Sequence, residues 1–232
     1  ELPAIEVFSE SLEDKAMVQY KGRQTMVVIK GIEENFNQLT AIDSILYGRG
    51  EWILRDEVVD YAVPGIELVS VLGTGIRFLY PLEVYAPKRG AKINVANPST
   101  SFEFSYLHSS GLVFAVNQQK YDASYILTSL SFARDLFQYE TEVSSIELRL
   151  AADADIKKVK SEIKQILGSD FLVQDRYEQQ ADTYRIMEVE KLISYVFLSF
   201  ILLIACFNVI GSLSMLIIDK RNDVVTLRNL GA

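Results

Sequence analysis

Residues 192–218 carry no charged side chain, and their apolar positions cover every face of a helix instead of one stripe. A bilayer span takes roughly 20 apolar residues, and this run has about 27. At about 1.5 Å per residue it extends about 40 Å, enough to cross a hydrocarbon core of about 30 Å with tilt. A buried core helix of a soluble protein is usually shorter and keeps a polar side, so the pattern predicts a membrane span. Its position late in the chain separates it from a signal peptide.

Before this run the pattern breaks into short segments. Residues 4–8 read as a strand. Residues 9–20 place Leu12, Ala16 and Met17 on one helical face and predict a short helix, and the β-branched run 25–32 predicts a strand. Together they form a strand–helix–strand unit. Residues 41–63 give turns at Asp43, Gly48 and Gly50 and a short strand at 52–54. A helical stretch starts at Pro64–Gly65–Ile66, runs through Val71–Leu72 and closes at Gly73 and Gly75. Strands are predicted at 77–86, 92–96, 102–107, 111–116 and 124–127, with a turn at Asn97, Pro98 and Ser99. Thr128 or Ser129 caps a helix to about Tyr139. A second strand–helix–strand unit follows: the alternating strand 145–150, a helix capped by Asp153 or Asp155 and stopped by Gly168, and a closing strand at 171–173. From Arg176 no Gly or Pro interrupts the approach to the apolar run, which predicts one long helix over 177–218. Residues 219–231 then read as a short amphipathic helix at the membrane face.

The 232 residues include 49% hydrophobic side chains, more than one membrane helix accounts for, so the first ~190 residues form one or two domains with a core. A net charge of −8 argues against a nucleic-acid partner, which needs clustered Lys and Arg. The single cysteine, Cys206, lies within the apolar run, leaving no disulfide and no thiol metal site in the preceding domain. The chain has neither an initiator Met nor a leader and reads as a piece of a longer protein. Catalysis has little to work with. His108 is the only histidine, Glu33–Glu34 and Asp153 with Asp155 sit at turns or caps, and Gly73–Thr74–Gly75 lacks a phosphate-loop lysine. The pattern calls for no enzyme activity, cofactor or metal.

Polar positions inside the apolar run carry more information. Asn208 and Ser212 stand four residues apart beside Gly211, so an amide and two small residues share a face suited to helix–helix contact in lipid. Lys220, Arg221 and Arg228 follow the run closely, which orients that end toward the cytoplasm.

The C-terminal part resembles the lipoprotein-releasing ABC permeases of the LolC/LolE type, within the wider family of MacB-like and FtsX-like permeases. The resemblance rests on Glu190–Lys191 at the outer mouth of the helix, on FNVIGSLSML from Phe207 to Leu216, and on Asp219–Lys220–Arg221 leading to LRNLGA at 227–232. Asp219 stands where the family usually has Glu, and Asp223–Val224 where it has Glu–Ile. The resemblance implies an α+β fold: a porter-like periplasmic domain with a β-rich inserted lobe, then a transmembrane helix. It implies porter-like parts at 1–64 and 141–176, the inserted lobe at 65–140, a long helix at 177–218 with its span at 192–218, and a coupling helix at 219–232. Asp219, Lys220, Arg221, Asp223, Val224, Leu227, Arg228, Leu230 and Gly231 would then contact a cytoplasmic ABC ATPase. Further implied partners are a second permease copy, like or unlike, a lipoprotein or periplasmic protein, and the lipid bilayer. The location implied is the bacterial inner membrane, with residues 1–191 mainly periplasmic and 219–232 cytoplasmic. FtsX-like regulation of cell-wall hydrolases and MacB-like efflux are alternatives within the family. A single-pass sensor or adhesion domain is the alternative outside it.

Overall fold

A 16-residue strand, β1 (Ile5–Tyr20), organises the N-terminal part of the molecule. The structure is a computed structural model in which residues 4–90, 101–179, 181–229 and 231 are described. It divides into two compact units, Glu1–Ala154 and Asp155–Ala232.

In the first unit β1 turns at Lys21–Gly22 and pairs antiparallel with β2 (Arg23–Ile32). Both turn residues have positive φ, 48° and 82°, as a tight hairpin turn of matching twist requires. The remaining elements are α1 (Phe36–Leu39), a 3₁₀ turn at Ile42–Ile45, β3 (Leu46–Gly48), β4 (Tyr61–Pro64), α2 (Ile66–Leu72), β5 (Leu82–Pro87), β6 (Phe102–Ser109), β7 (Leu112–Phe114), α3 (Gln119–Asp122), β8 (Tyr125–Ser129), α4 (Leu130–Phe137) and β9 (Ser145–Leu150). Among the described residues, seven strands make one mixed sheet in the order β2-β8-β4-β6-β5-β1-β9, and β3 pairs with β7 apart from it. Because β2 also pairs with β1, six of the seven close into a ring, and β9 extends it along the first half of β1. Strands β5, β6 and β8, from the stretch expected to form an inserted lobe, pair within this same sheet.

Leu12, Ala16, Val18, Val27, Ile29, Leu82, Val84 and Leu107 are buried in one cluster, joined by Phe132, Ala133 and Leu136 of α4. Ser129 starts α4 as expected, its Oγ accepting from Phe132 N at 3.1 Å. The helix approaches β2 so closely that a Cβ on Gly31 would lie 2.4 Å from Ala133 Cβ, which is why glycine stands there.

A polar cluster forms where β1, β2 and β9 meet. Lys30 Nζ lies 3.0 Å from Glu13 and 2.5 Å from Glu147, and the Tyr125 hydroxyl donates to Glu13 at 3.3 Å. Burial alone would lower the Lys30 pKa, but Glu147 and Glu13 together outweigh it and raise it. Burial, aided by Glu13, pushes the Tyr125 phenol up to about 12. Both shifts mean that the folded protein holds the proton more tightly than the unfolded chain. The stability they contribute is complete below the unfolded Tyr value of 10.0 and is lost as pH rises toward about 12. Urea midpoints measured across this range are expected to fall for the natural chain and to fall less for Tyr125→Phe. Lys30→Met is expected to cost roughly 2 kcal/mol at neutral pH, less than the about 3–5 kcal/mol of a fully buried pair.

Three sequence expectations are corrected here. Residues 9–20 form strand, not helix: Leu12 and Ala16 are four apart, a spacing that fits either period, and the burial of Val18 and Tyr20 with Met17 and Gln19 outside them shows the period of two. The first strand–helix–strand unit is therefore a hairpin. Residues 52–54 form no strand and join the chain to β4, a strand the sequence did not announce because all four of its positions are apolar. Residues 171–173 form no closing strand. Phe171 is 62% and Leu172 83% exposed, and neither enters a ladder that would bury it. The α+β class holds, and β9 spans 145–150 as expected. The strand expected at 92–96 and the turn at Asn97–Ser99 lie outside the described residues.

Candidate functional site

The second unit is helical. α5 (Ile156–Leu167) begins at Asp155, whose Oδ1 accepts from Lys157 N at 2.9 Å, and ends at Gly168 with φ 74°. After it come α6 (Arg176–Gln179) and α7 (Ala181–Asn229), a 49-residue helix.

Asp175 and Glu178 cap the start of α6 reciprocally. Asp175 Oδ1 accepts from the backbone N–H of Tyr177 and of Glu178, each at 2.9 Å, and Glu178 Oε2 accepts from Asp175 N at 3.2 Å. Lys160 of α5 reaches both carboxylates, Asp175 at 3.2 Å and Glu178 in a shorter contact. The bond to Glu178 raises the Lys160 pKa. The Glu178 backbone N–H holds Asp175 below its usual range, and Lys160 does the same for Glu178. This clamp ties α5 to the chain just before α7. The D-x-x-E spacing at 175–178 was its signal, and the sequence reading passed over it. Asp175→Ala is expected to speed hydrogen exchange at Tyr177 and Glu178 severalfold, with Lys160→Met acting in the same direction. Unchanged exchange in both would show that the clamp holds nothing.

In α7, residues Tyr184–Asn229 are long and apolar enough to cross a membrane, with a best-window mean hydropathy of 2.5 and none of that window buried. Ile201, Leu202, Ile204, Phe207 and Ile210 are each at least 58% exposed, a continuous apolar surface that the described residues do not cover. Asn208, Gly211 and Ser212 fall on one face of α7, and the space around Gly211 is open. The Asn208 amide has no partner among the described residues. Ser199, on the opposite side, donates back to Tyr195 O at 2.8 Å and needs none.

The expected short helix at 219–231 is not separate. Asp219, Lys220, Arg221, Asp223, Val224, Leu227 and Arg228 all belong to the last turns of α7. Nothing between Ser212 and Asn229 breaks the helix. Lys220 bonds to Asp223 at 2.8 Å, and the Thr226 hydroxyl donates to Asn222 O at 2.9 Å. Lys220, Val224 and Leu227 follow one another at i, i+4 and i+7 and so share a face, with Val224 61% and Leu227 56% exposed. Gly231 follows the helix with φ 96°, and Leu230 lies outside the described residues.

In the first unit, an open cleft of about 790 Å³ lies between the end of β2, the start of α4 and residues 52–55, with Trp52 on its wall and Glu33 and Glu34 at its edge. His108 is an exposed residue of β6. Among the described residues no cluster of three or more His, Cys, Asp or Glu is placed to hold a metal ion.

A mixed-sheet domain followed by one long, exposed apolar helix defines the class to which the molecule can be compared. In sequence the chain is similar to lipoprotein-releasing system transmembrane proteins. It is 27% identical over 176 residues to LolC of Neisseria meningitidis serogroup B, covering 73% of this chain and 41% of that protein. It is 24% identical over 112 residues to LolE of Haemophilus influenzae, covering 48% and 27%. The chain thus spans less than half the length of these curated relatives. Among solved structures, the periplasmic region of MacB from Actinobacillus actinomycetemcomitans aligns with a TM-score of 0.48 at 11% identity, covering 72% of this chain and 68% of that one. No family model matches the chain.

Proposed function

We propose that the chain is part of the permease subunit of an ABC transporter that releases lipoproteins from the bacterial inner membrane. The similarity to LolC over 176 residues carries this reading, and the unbroken α7 supplies its mechanics. A 49-residue helix is about 70 Å long, more than twice the roughly 30 Å of hydrocarbon it would cross. Both ends then stand in water. A partner ATPase pressing on Val224 and Leu227 moves a rod whose other end lies next to the Lys160 clamp. ATP is bound and hydrolysed by the partner, and this chain transmits the stroke. Asn208, Gly211 and Ser212 form the contact with a second permease copy, where the Asn208 amide gains a hydrogen-bond partner.

The test uses the full-length protein in vesicles with its ATPase and a lipidated substrate protein. ATP-dependent release of that substrate into a soluble carrier supports the reading. ATP hydrolysis without release, or release independent of ATP, refutes lipoprotein transport.

A further inference from the structure

The first 154 residues hold 21 Asp and Glu against 13 Lys and Arg, yet two of their segments carry no acidic residue. No Asp or Glu occurs from Lys15 to Ile32, which includes the β1–β2 turn, or from Leu68 to Leu82, which includes the loop between α2 and β5. The structure joins these two segments. Phe78 is buried with its ring 6.0 Å from that of Tyr20, edge to face. The Arg23 guanidinium lies over Gly73, where a Cβ would come within 2.6 Å of it. Lys21 Nζ sits 4.5 Å from the centre of the Tyr80 ring. With Phe78 fixing the loop from inside, the next two residues point outward: Leu79 is 90% and Tyr80 59% exposed. Lys21, Arg23 and Arg77, on the same two segments, are all exposed.

We infer that this tip is a bilayer-contact site: Leu79 and Tyr80 enter the interface of an anionic membrane while Lys21, Arg23 and Arg77 engage lipid phosphates. Large apolar side chains beside an aromatic ring and cations, on a backbone held rigid from behind, match what an anionic interface rewards: apolar burial below the headgroups and charge pairing at their level. The sign of the charge selects the partner, since the rest of the domain is acidic and repelled by such a surface. The inference rests on the membrane insertion of α7 proposed above and on nothing else in that reading.

The experiment places a polarity-sensitive fluorophore at Leu79→Cys, with Cys206→Ser removing the only natural cysteine. The chain is reconstituted by its own helix into vesicles of phosphatidylcholine, alone or with an equal part of phosphatidylglycerol. A second label, at Ser199→Cys in a separate preparation, reports whether α7 is in lipid. The expected result is a tip label in an apolar surrounding in the anionic vesicles only, returning to water at high salt. The double variant Lys21→Gln, Arg77→Gln is expected to weaken the contact about 25-fold, at about fivefold per cation. A tip label that stays in water in both lipids while the Ser199→Cys label is in lipid overturns this inference and leaves the permease reading standing. A tip shielded equally in both lipids, or only on adding an acidic soluble protein, overturns it as well. A Ser199→Cys label found in water removes the membrane reading itself.

Discussion

Leu227→Asp is expected to separate the full-length protein from its ATPase while leaving it folded and inserted. Leu227 is exposed in the single chain, on the face it shares with Val224 and Lys220, so the change costs the isolated helix almost nothing. Docked against a partner, the same position would bury a carboxylate without a hydrogen-bonding group selected to receive it. Such burial costs roughly 2 kcal/mol or more, and each 1.4 kcal/mol is about tenfold in affinity, so association should fall by about 30-fold at least. Leu227→Met keeps the apolar volume and should bind as the natural protein does. Co-purification of the ATPase with each variant measures this. Equal binding by the Asp variant would mean that these turns only rest among lipid headgroups.

Ile204→Arg is expected to prevent stable insertion of α7. Ile204 lies near the middle of the apolar run and is 58% exposed, with no acidic neighbour within a turn to pair a cation. An Arg at the centre of a spanning helix costs about 2.5–3.5 kcal/mol, and the lost Ile adds about half a kcal/mol more. The dozen or so Leu, Ile, Val and Phe side chains between Val196 and Leu213 favour insertion by only several kcal/mol in total, so one substitution removes much of it. Ile204→Leu should insert normally. Resistance to alkaline extraction from membranes distinguishes the two, and an Arg variant that resists as well as the natural chain would contradict the assignment of this stretch as the span.

What could be read from the chain followed the range of the interactions involved. α7, α4, α5 and β9 declare themselves through local signals: an unbroken apolar run, a Ser or Asp cap, a Gly stop and a clean alternation. β1 was misread because Leu12 and Ala16 satisfy two periods at once, and only pairing with β2, β5 and β9 decides between them. β4 escaped because a strand buried on both sides has no alternation to show. The Lys30 cluster unites residues 117 positions apart, and no spacing rule reaches that far. The same limit hid the basic tip, since the hairpin turn and the α2–β5 loop show nothing alone and meet only in the fold, through Tyr20 with Phe78, Arg23 with Gly73 and Lys21 with Tyr80. Residues 219–229 had a correct helical pattern, but without a breaker they extend α7 instead of starting a new helix.

Purification of the full-length protein from its native membrane in mild detergent tests the central claim most directly. The expected result is an ATP-hydrolysing subunit recovered with it in fixed proportion and lost from the Leu227→Asp protein. A full-length protein that purifies without any ATPase, and whose chain continues beyond α7 into a cytoplasmic signalling domain, would contradict the permease assignment and make α7 a simple anchor.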